Sequence, residues 1–373
     1  MIQIMSVSKK DYDCIALFLV SQSKFNYDFW KSRFNYWWEE NPSFIEGNTA
    51  RGWVIKDTEN IVGFIGNIPT KFQLFNKEIS AFNGTIFVVL SEYRTYSLAL
   101  FLNQVNYSPV VFMTTPSDHT LPLFNTFKIP RLPRGNNSKY HKKSIVVLNL
   151  TNLLKQHISH KFRGNCAYKY TLVFLEKLGS MPVLGSIALI LPNIFIKIYQ
   201  SIRLRRIHTK TDFTVKQILY ADSSFDELWI KTRNYYANTN IRTANMINWY
   251  IHNVNHKMLL FGCYDKNTLA GYAIFRIDNN LKKMECVDLW VGPAINDTVK
   301  TLIQYSVEYA QKGGLNLVIF PHFNATLGKL LDLFGLISMQ FDERKDFFRL
   351  NTGGVIDESN SYFVGLQGDH ELW

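Results

Sequence analysis

The chain has 373 residues, 47% of them hydrophobic and 15% aromatic, with a formal net charge of +11. That composition fits a globular protein with room for two or three domains and excludes a disordered chain. Its four cysteines (Cys14, Cys166, Cys263, Cys286) lie far apart with no CxxC pair, which excludes a disulfide scaffold or zinc module and suits reduced thiols in a cytoplasmic protein.

No signal peptide is expected, because Met1-Ile-Gln-Ile-Met-Ser6 soon gives way to charged Lys9-Lys10-Asp11. Apolar spacing then predicts a helix over Asp11–Ser21 and a second over Tyr27–Trp38, ended by Asn41-Pro42. Strands follow at Gly52–Lys56 and Ile61–Asn67, joined by an Asp57–Asn60 turn, and at Thr70–Phe75 and Glu78–Phe82 around Asn76-Lys77. An apolar strand at Thr85–Leu90 runs through the polar turn Ser91–Arg94 into a helix over about Thr95–Val105. The first N–H groups of such a helix are unpaired and face the turn, which makes an anion site. A strand at Val110–Thr114 and a helix over His119–Phe127 complete this stretch.

The middle of the chain is basic. Between His119 and Thr211 there are sixteen Lys or Arg and one acid, Glu176. The same stretch holds nineteen uncharged residues, Leu178–Ile196, interrupted by Pro182 and Pro192 and followed by Lys197, Arg203, Arg205 and Arg206. The interruptions favour an in-plane helix on an anionic inner-leaflet surface, or a buried hairpin, over a membrane crossing. Nucleic acid is disfavoured, since aromatic residues are not interleaved with the charges.

The order of the first part then recurs. A helix at Ile241–His252, a hairpin at Leu260–Tyr264 and Leu269–Ile277, a strand at Cys286–Val291, a helix at Thr298–Gln311, a strand at Leu315–Phe320 and a helix at Ala325–Phe334 form a second copy. Gly271 aligns with Gly63, and Asp265 with Asp57. The expected fold class is α+β: two units of largely antiparallel, mixed sheet flanked by helices. Their expected limits are 1–135 and 213–345, with a basic, apolar helical connector at 136–212 and a tail at 346–373.

This element order resembles the GNAT N-acyltransferase superfamily, and Arg94-Thr95-Tyr96-Ser97-Leu98-Ala99 is similar to its (R/Q)xxGx(G/A) motif. The tandem arrangement is similar to GNAT-like proteins of surface-polysaccharide clusters and to Fem-type aminoacyltransferases. Softer features, the Gly63–Pro69 hairpin and the closing Leu366–Trp373, point to the polysaccharide group. The resemblance implies acyl-CoA as cosubstrate, with Val88, Val89 and Leu90 facing pantetheine and Arg94 to Ala99 holding the phosphates. Ser97 stands where the first glycine is usual, which narrows the approach to phosphate but adds a hydrogen-bond donor. The second copy has Asp297 at the corresponding turn, so CoA is expected in the first copy, and the second either helps build the acceptor groove between copies or is a degenerate structural remnant.

Acyl transfer to an amine needs a base, oxyanion donors and an acid for the leaving thiolate. The family's usual acid is a tyrosine, and the aligned positions here are Phe124 and Leu331. Candidate catalytic residues are His119 with Asp118 after the fifth strand, His322 at the corresponding point of the second copy, and Asp369 in the tail. Asp118 is also placed to cap the following helix. No nucleotide-binding glycine loop, HExxH or GxSxG motif is present, and no metal is expected. The acceptor expected from the resemblance is an amino sugar on a nucleotide or lipid carrier. Two alternatives stand beside this reading: a Fem-like transferase using aminoacyl-tRNA, and a non-catalytic membrane-associated scaffold.

Overall fold

The computed structural model describes residues 1–114, 116–117, 120–132, 141–150, 152–153, 194–195, 198–200, 202, 212–253, 256–292, 295–341, 347–350, 356 and 358–365. In chain order the elements of its first half are β1 (Ile2–Ser6), α1 (Tyr12–Gln22), α2 (Tyr27–Phe34), β2 (Gly52–Asp57), β3 (Asn60–Leu74), β4 (Lys77–Val89), α3 (Ser97–Tyr107), β5 (Val110–Met113), α4 (Leu121–Thr126) and β6 (His141–Val147). Those of the second half are β7 (Phe213–Ile218), α5 (Ser223–Thr232), β8 (Asn238–Asn240), α6 (Ala244–Ile251), β9 (Lys257–Asp265), β10 (Thr268–Asp278), β11 (Lys283–Val291), α7 (Ile295–Lys312), β12 (Leu317–Pro321), α8 (Ala325–Leu333), β13 (Ile337–Phe341), β14 (Phe347–Leu350) and β15 (Ser361–Tyr362).

The chain forms two units, Met1–Lys139 with Tyr220–His256 and Glu343–Trp373, and Tyr140–Leu219 with Lys257–Asp342. In the first unit the sheet order is β1-β2-β3-β4-β5-β14, with β8 paired to the far end of β3 and to β15. In the second it is β7-β9-β10-β11-β12-β6-β13. Each sheet is mostly antiparallel with one central parallel pair, β4 with β5 and β11 with β12, and in the first sheet the short β15 also pairs parallel with β8. Beyond the central pair, each sheet continues with a strand from a distant part of the chain. Residues 347–350 pair with β5, and residues 143–147 pair with β12.

The four strands expected between Ile61 and Leu90 are two long ones, because β3 and β4 stay paired from Gly63↔Val89 to Leu74↔Lys77. Pro69 interrupts neither. It lacks an N–H, and its carbonyl accepts from Asn41 Nδ2 at 2.8 Å. The turn between them puts Phe75 and Asn76 at φ 52° and 62°, the left-handed pair that a tight two-residue hairpin demands. Gly52 is required where it stands. Its φ is +136°, and a Cβ there would lie 2.1 Å from the Ile65 carbonyl oxygen.

In the first unit, α1 buries Tyr12, Ile15, Ala16, Phe18 and Leu19, and α2 is capped by Asn26, whose side chain accepts from Phe29 N. The helix expected to run on to Trp38 changes at Asn35 into a π turn that buries Tyr36, Trp37 and Trp38. The Tyr36 ring stacks on Trp249 of α6 with centroids 4.9 Å apart, and Trp249 Nε1 donates to the Tyr36 carbonyl at 2.8 Å. A core including Trp53, Ile65, Leu100, Phe101, Val105, Met113 and Phe124 joins β2, β3 and β5 to α3 and α4. Each such large side chain contributes about 1.5–3 kcal/mol when fully buried.

Among the described residues no helix is long and apolar enough to cross a membrane. The Leu178–Ile196 segment, apart from Ile194 and Phe195, lies outside the described residues.

Candidate functional site

The first unit's site begins where two strands part. β4 and β5 pair only at Phe82↔Val111 and Asn83↔Phe112, after which β4 continues alone to Val89. Below the gap the join is polar: Asn83 is fully buried, and its Oδ1 accepts from Thr114 Oγ1 at 3.2 Å. Inside the gap β4 carries a bulge. Gly66 pairs with Thr85 and Ile65 with Phe87, which leaves Ile86 with no partner in β3 and at φ +44°. A β-branched residue rarely adopts that φ, at a cost of about 1–3 kcal/mol, and a bulge of this kind frees backbone groups of β4 from the ladder.

A cavity of about 390 Å³ fills the gap. One wall is Leu19, Gln22, Ser23, Lys24, Phe25 and Trp30 of α1, α2 and the segment between them. The opposite wall is Phe101 and Gln104 of α3 with Phe124 of α4. Gly84 to Val88 of β4, Ile65 and Met113 form its sides, and Pro116, Ser117 and Thr120 also line it. The cavity therefore passes through the sheet at the parting of β4 and β5. Lys24 is the single charged residue among this lining, and its Nζ lies 5.4 Å from the Phe25 ring centroid.

Beyond the cavity, β4 ends in a 3-10 turn, Ser91–Tyr96, which leads into α3. No side chain caps α3, and no acid stands in its first turn. Its N-terminal N–H groups thus keep their positive end of the helix dipole. Arg94, Thr95, Tyr96, Leu98 and Ala99 are exposed and Ser97 is half-buried. Tyr93 holds the turn to the hairpin by donating to Asp57 Oδ2 at 2.8 Å. Of the strand residues expected at a ligand, Val88 lines the cavity, Val89 packs on the core, and Leu90 N donates to the Val62 carbonyl at 2.9 Å. The second unit differs at the matching place, since α7 has Asp297 in its first turn.

Of the expected catalytic residues, His322 alone lies among the described residues. Asp118, His119 and Asp369 lie outside the described residues, although Ser117 and Thr120, which flank the first two in sequence, line the cavity. His322 belongs to the second unit, where its Nε2 is 2.8 Å from Ser144 Oγ, a fully buried partner on β6. Burial lowers its pKa to about 4 against opposing attraction from Asp332, so it is neutral at pH 7. Phe124 is buried, with its ring 5.9 Å from that of Phe101, and Leu331 is also buried. Among the described residues no group of His, Cys, Asp or Glu is arranged to hold a metal ion.

Ile86 and Gln104 are the site residues that the sequence reading passed over. A bulge has no residue signature beyond its register, while Gln104 reads as one of several polar positions in the C-terminal half of its helix, beside Asn103 and Asn106.

Comparison with solved structures shows the fold. A GCN5-related N-acetyltransferase from Kribbella flavida superposes with a TM-score of 0.55 at 9% identity, over 94% of this chain and 72% of that one. One from Anabaena variabilis gives a TM-score of 0.54 at 10% identity, over 94% and 73%. The chain has the GNAT fold. A conserved Enterococcus faecalis protein of unknown function matches comparably, with a TM-score of 0.56 at 10% identity over 94% of this chain and 72% of that one. No family model matches the sequence, and a search of curated proteins gives no match.

Proposed function

We propose that the protein is an acyl-CoA-dependent N-acyltransferase whose donor site is the gap between β4 and β5 in the first unit. The observation that carries this reading is the continuity of three features along one strand: an uncapped helix N-terminus with exposed Arg94, a parted strand pair, and a bulge at Ile86 beside a mostly apolar cavity. The anionic end of CoA is favoured at the turn by the helix dipole and Arg94. The pantetheine arm runs back along Leu90 and Val88, and the thioester reaches Ile86, where unpaired backbone groups are available to the developing oxyanion. The amine attacks the thioester carbonyl, the C–N bond forms as the C–S bond breaks, the amine proton passes to a base, and the thiolate leaves.

His119, in the sequence between Ser117 and Thr120, is the base assigned in this reading, with Asp118 beside it. Phe124 provides no hydroxyl for the thiolate, so its proton comes from solvent or from another group. For the acceptor, an amino sugar on a nucleotide or lipid carrier is the class that the sequence resemblance favours. The same Phe124 favours a second reading, a non-catalytic CoA-binding module.

Release of free thiol from acetyl-CoA in the presence of a panel of amines separates these readings. Amine-dependent thiol release supports transfer; tight CoA binding with none at any amine supports the binding module.

A further inference from the structure

Gln104 is 97% buried and lines the cavity. Nε2 donates to the Gly66 carbonyl at 2.8 Å and to Asn67 Oδ1 at 2.9 Å. Because a carbonyl can only accept, these contacts fix which end of the amide is nitrogen. Both N–H groups are used, and among the described residues no donor reaches Oε1. That oxygen is an acceptor left open to a ligand in a mostly apolar cavity.

Position along β4 says which part of a ligand meets it. In the donor reading proposed above, on which this inference rests, the phosphates lie at Arg94 and the thioester at Ile86. Gly84, two residues further down the strand and about 7 Å away, borders the Gln104 amide: a Cβ on Gly84 would stand 3.1 Å from both its nitrogen and its oxygen. The strands close again at Asn83↔Phe112. The acyl chain, not the CoA arm, therefore extends toward Oε1. A charged donor is disfavoured there, since no carboxylate is found among the described lining residues and Lys24 is cationic.

We infer that the protein selects an acyl group larger than acetyl that carries one uncharged hydroxyl near its end, bound by Gln104 Oε1. A site built to bond a hydroxyl discriminates against the analogue that lacks it, because its own polar atom is then left unpaired. The test is calorimetric binding of CoA, butanoyl-CoA and 3-hydroxybutanoyl-CoA to the full chain. The expected result is at least about tenfold tighter binding of the hydroxylated thioester than of butanoyl-CoA, with the difference lost in Gln104→Leu. That variant can destabilise the fold by stranding Asn67, so the comparison on the wild-type protein decides first. Equal affinities of the wild type for the two thioesters overturn the inference while leaving the donor site standing if CoA binds. A hydroxyl preference that survives in folded Gln104→Leu also overturns it. Failure of CoA and both thioesters to bind overturns the donor reading and this inference with it.

Discussion

Gln104 Nε2 lies 2.9 Å from Asn67 Oδ1, in a contact that ties helix α3 to strand β3 without any ionisable group. The wall it forms keeps its hydrogen-bonding character at any pH where the protein is folded. Gly84 makes that approach possible, since a methyl group there would press on the glutamine amide at 3.1 Å. Gly84→Ala should therefore lower stability by about 1–3 kcal/mol and weaken the preference for a hydroxylated thioester. Chemical unfolding and the same calorimetric comparison check both effects.

The bulge makes its own prediction. Ile86 and Val88 both line the cavity and are both half-buried, but Ile86 alone has a positive φ. Truncation to glycine removes side-chain contacts at either site and relieves backbone strain only at residue 86. Ile86→Gly should cost less stability than Val88→Gly, by about 1 kcal/mol or more. Equilibrium unfolding of the two variants measures the difference.

In the second unit, Lys143 of β6 sits 2.6 Å from Glu285 of β11. Burial raises the Glu285 pKa, but attraction to Lys143, Arg276 and Lys283 outweighs it and holds the carboxyl at about 2, below its ordinary 4.5. The sign follows: the ionised form is favoured by folding, so the stabilisation is complete above pH about 4.5 and is lost as pH falls toward 2. Lys143→Met leaves the buried carboxylate with its weaker partners. It should destabilise the protein by about 3 kcal/mol at pH 7, with a smaller deficit at pH 3. Denaturant titrations at the two pH values test this.

His322 has the opposite chemistry and the same direction of pH dependence. Its folded pKa of about 4 lies below the ordinary 6.5, so the unfolded chain binds more protons between those values. The contribution of neutral His322 to stability is full above pH 6.5 and is lost as pH falls through 4. An NMR titration of the ring should show no protonation between pH 7 and 5.5. A midpoint near 6.5 would mean an exposed imidazole suited to proton transfer instead.

The repeat and the strand-to-helix turn were legible in sequence because both rest on local signals: apolar alternation, two-residue hairpins, and the polar break at Ser91–Arg94. What lies between the copies was not. Residues 141–147 and 347–350 occupy the place beyond β12 and beyond β5, and their partners are set by tertiary pairing that no short window contains. The strands β1, β7 and β8 and the helix α5 were missed for a related reason, being short or edge elements with weak periodicity. At the candidate site, the turn that leads from β4 into α3 was readable from the polar break at Ser91–Arg94. The bulge at Ile86 depends on register with β3, and the role of Gln104 depends on the Gly66 carbonyl across the sheet, so neither leaves a trace in the local sequence.

The central claim is that CoA is held at the turn before α3. Arg94 is exposed, and among the described residues no ion pair engages it, so reversing its charge should leave the fold intact. Isothermal titration of CoA into the wild type and Arg94→Glu tests the claim most directly. The account predicts saturable one-site binding to the wild type and at least about tenfold weaker binding to the variant, with unchanged unfolding midpoints in the absence of ligand. Equal affinity in the two proteins would contradict it.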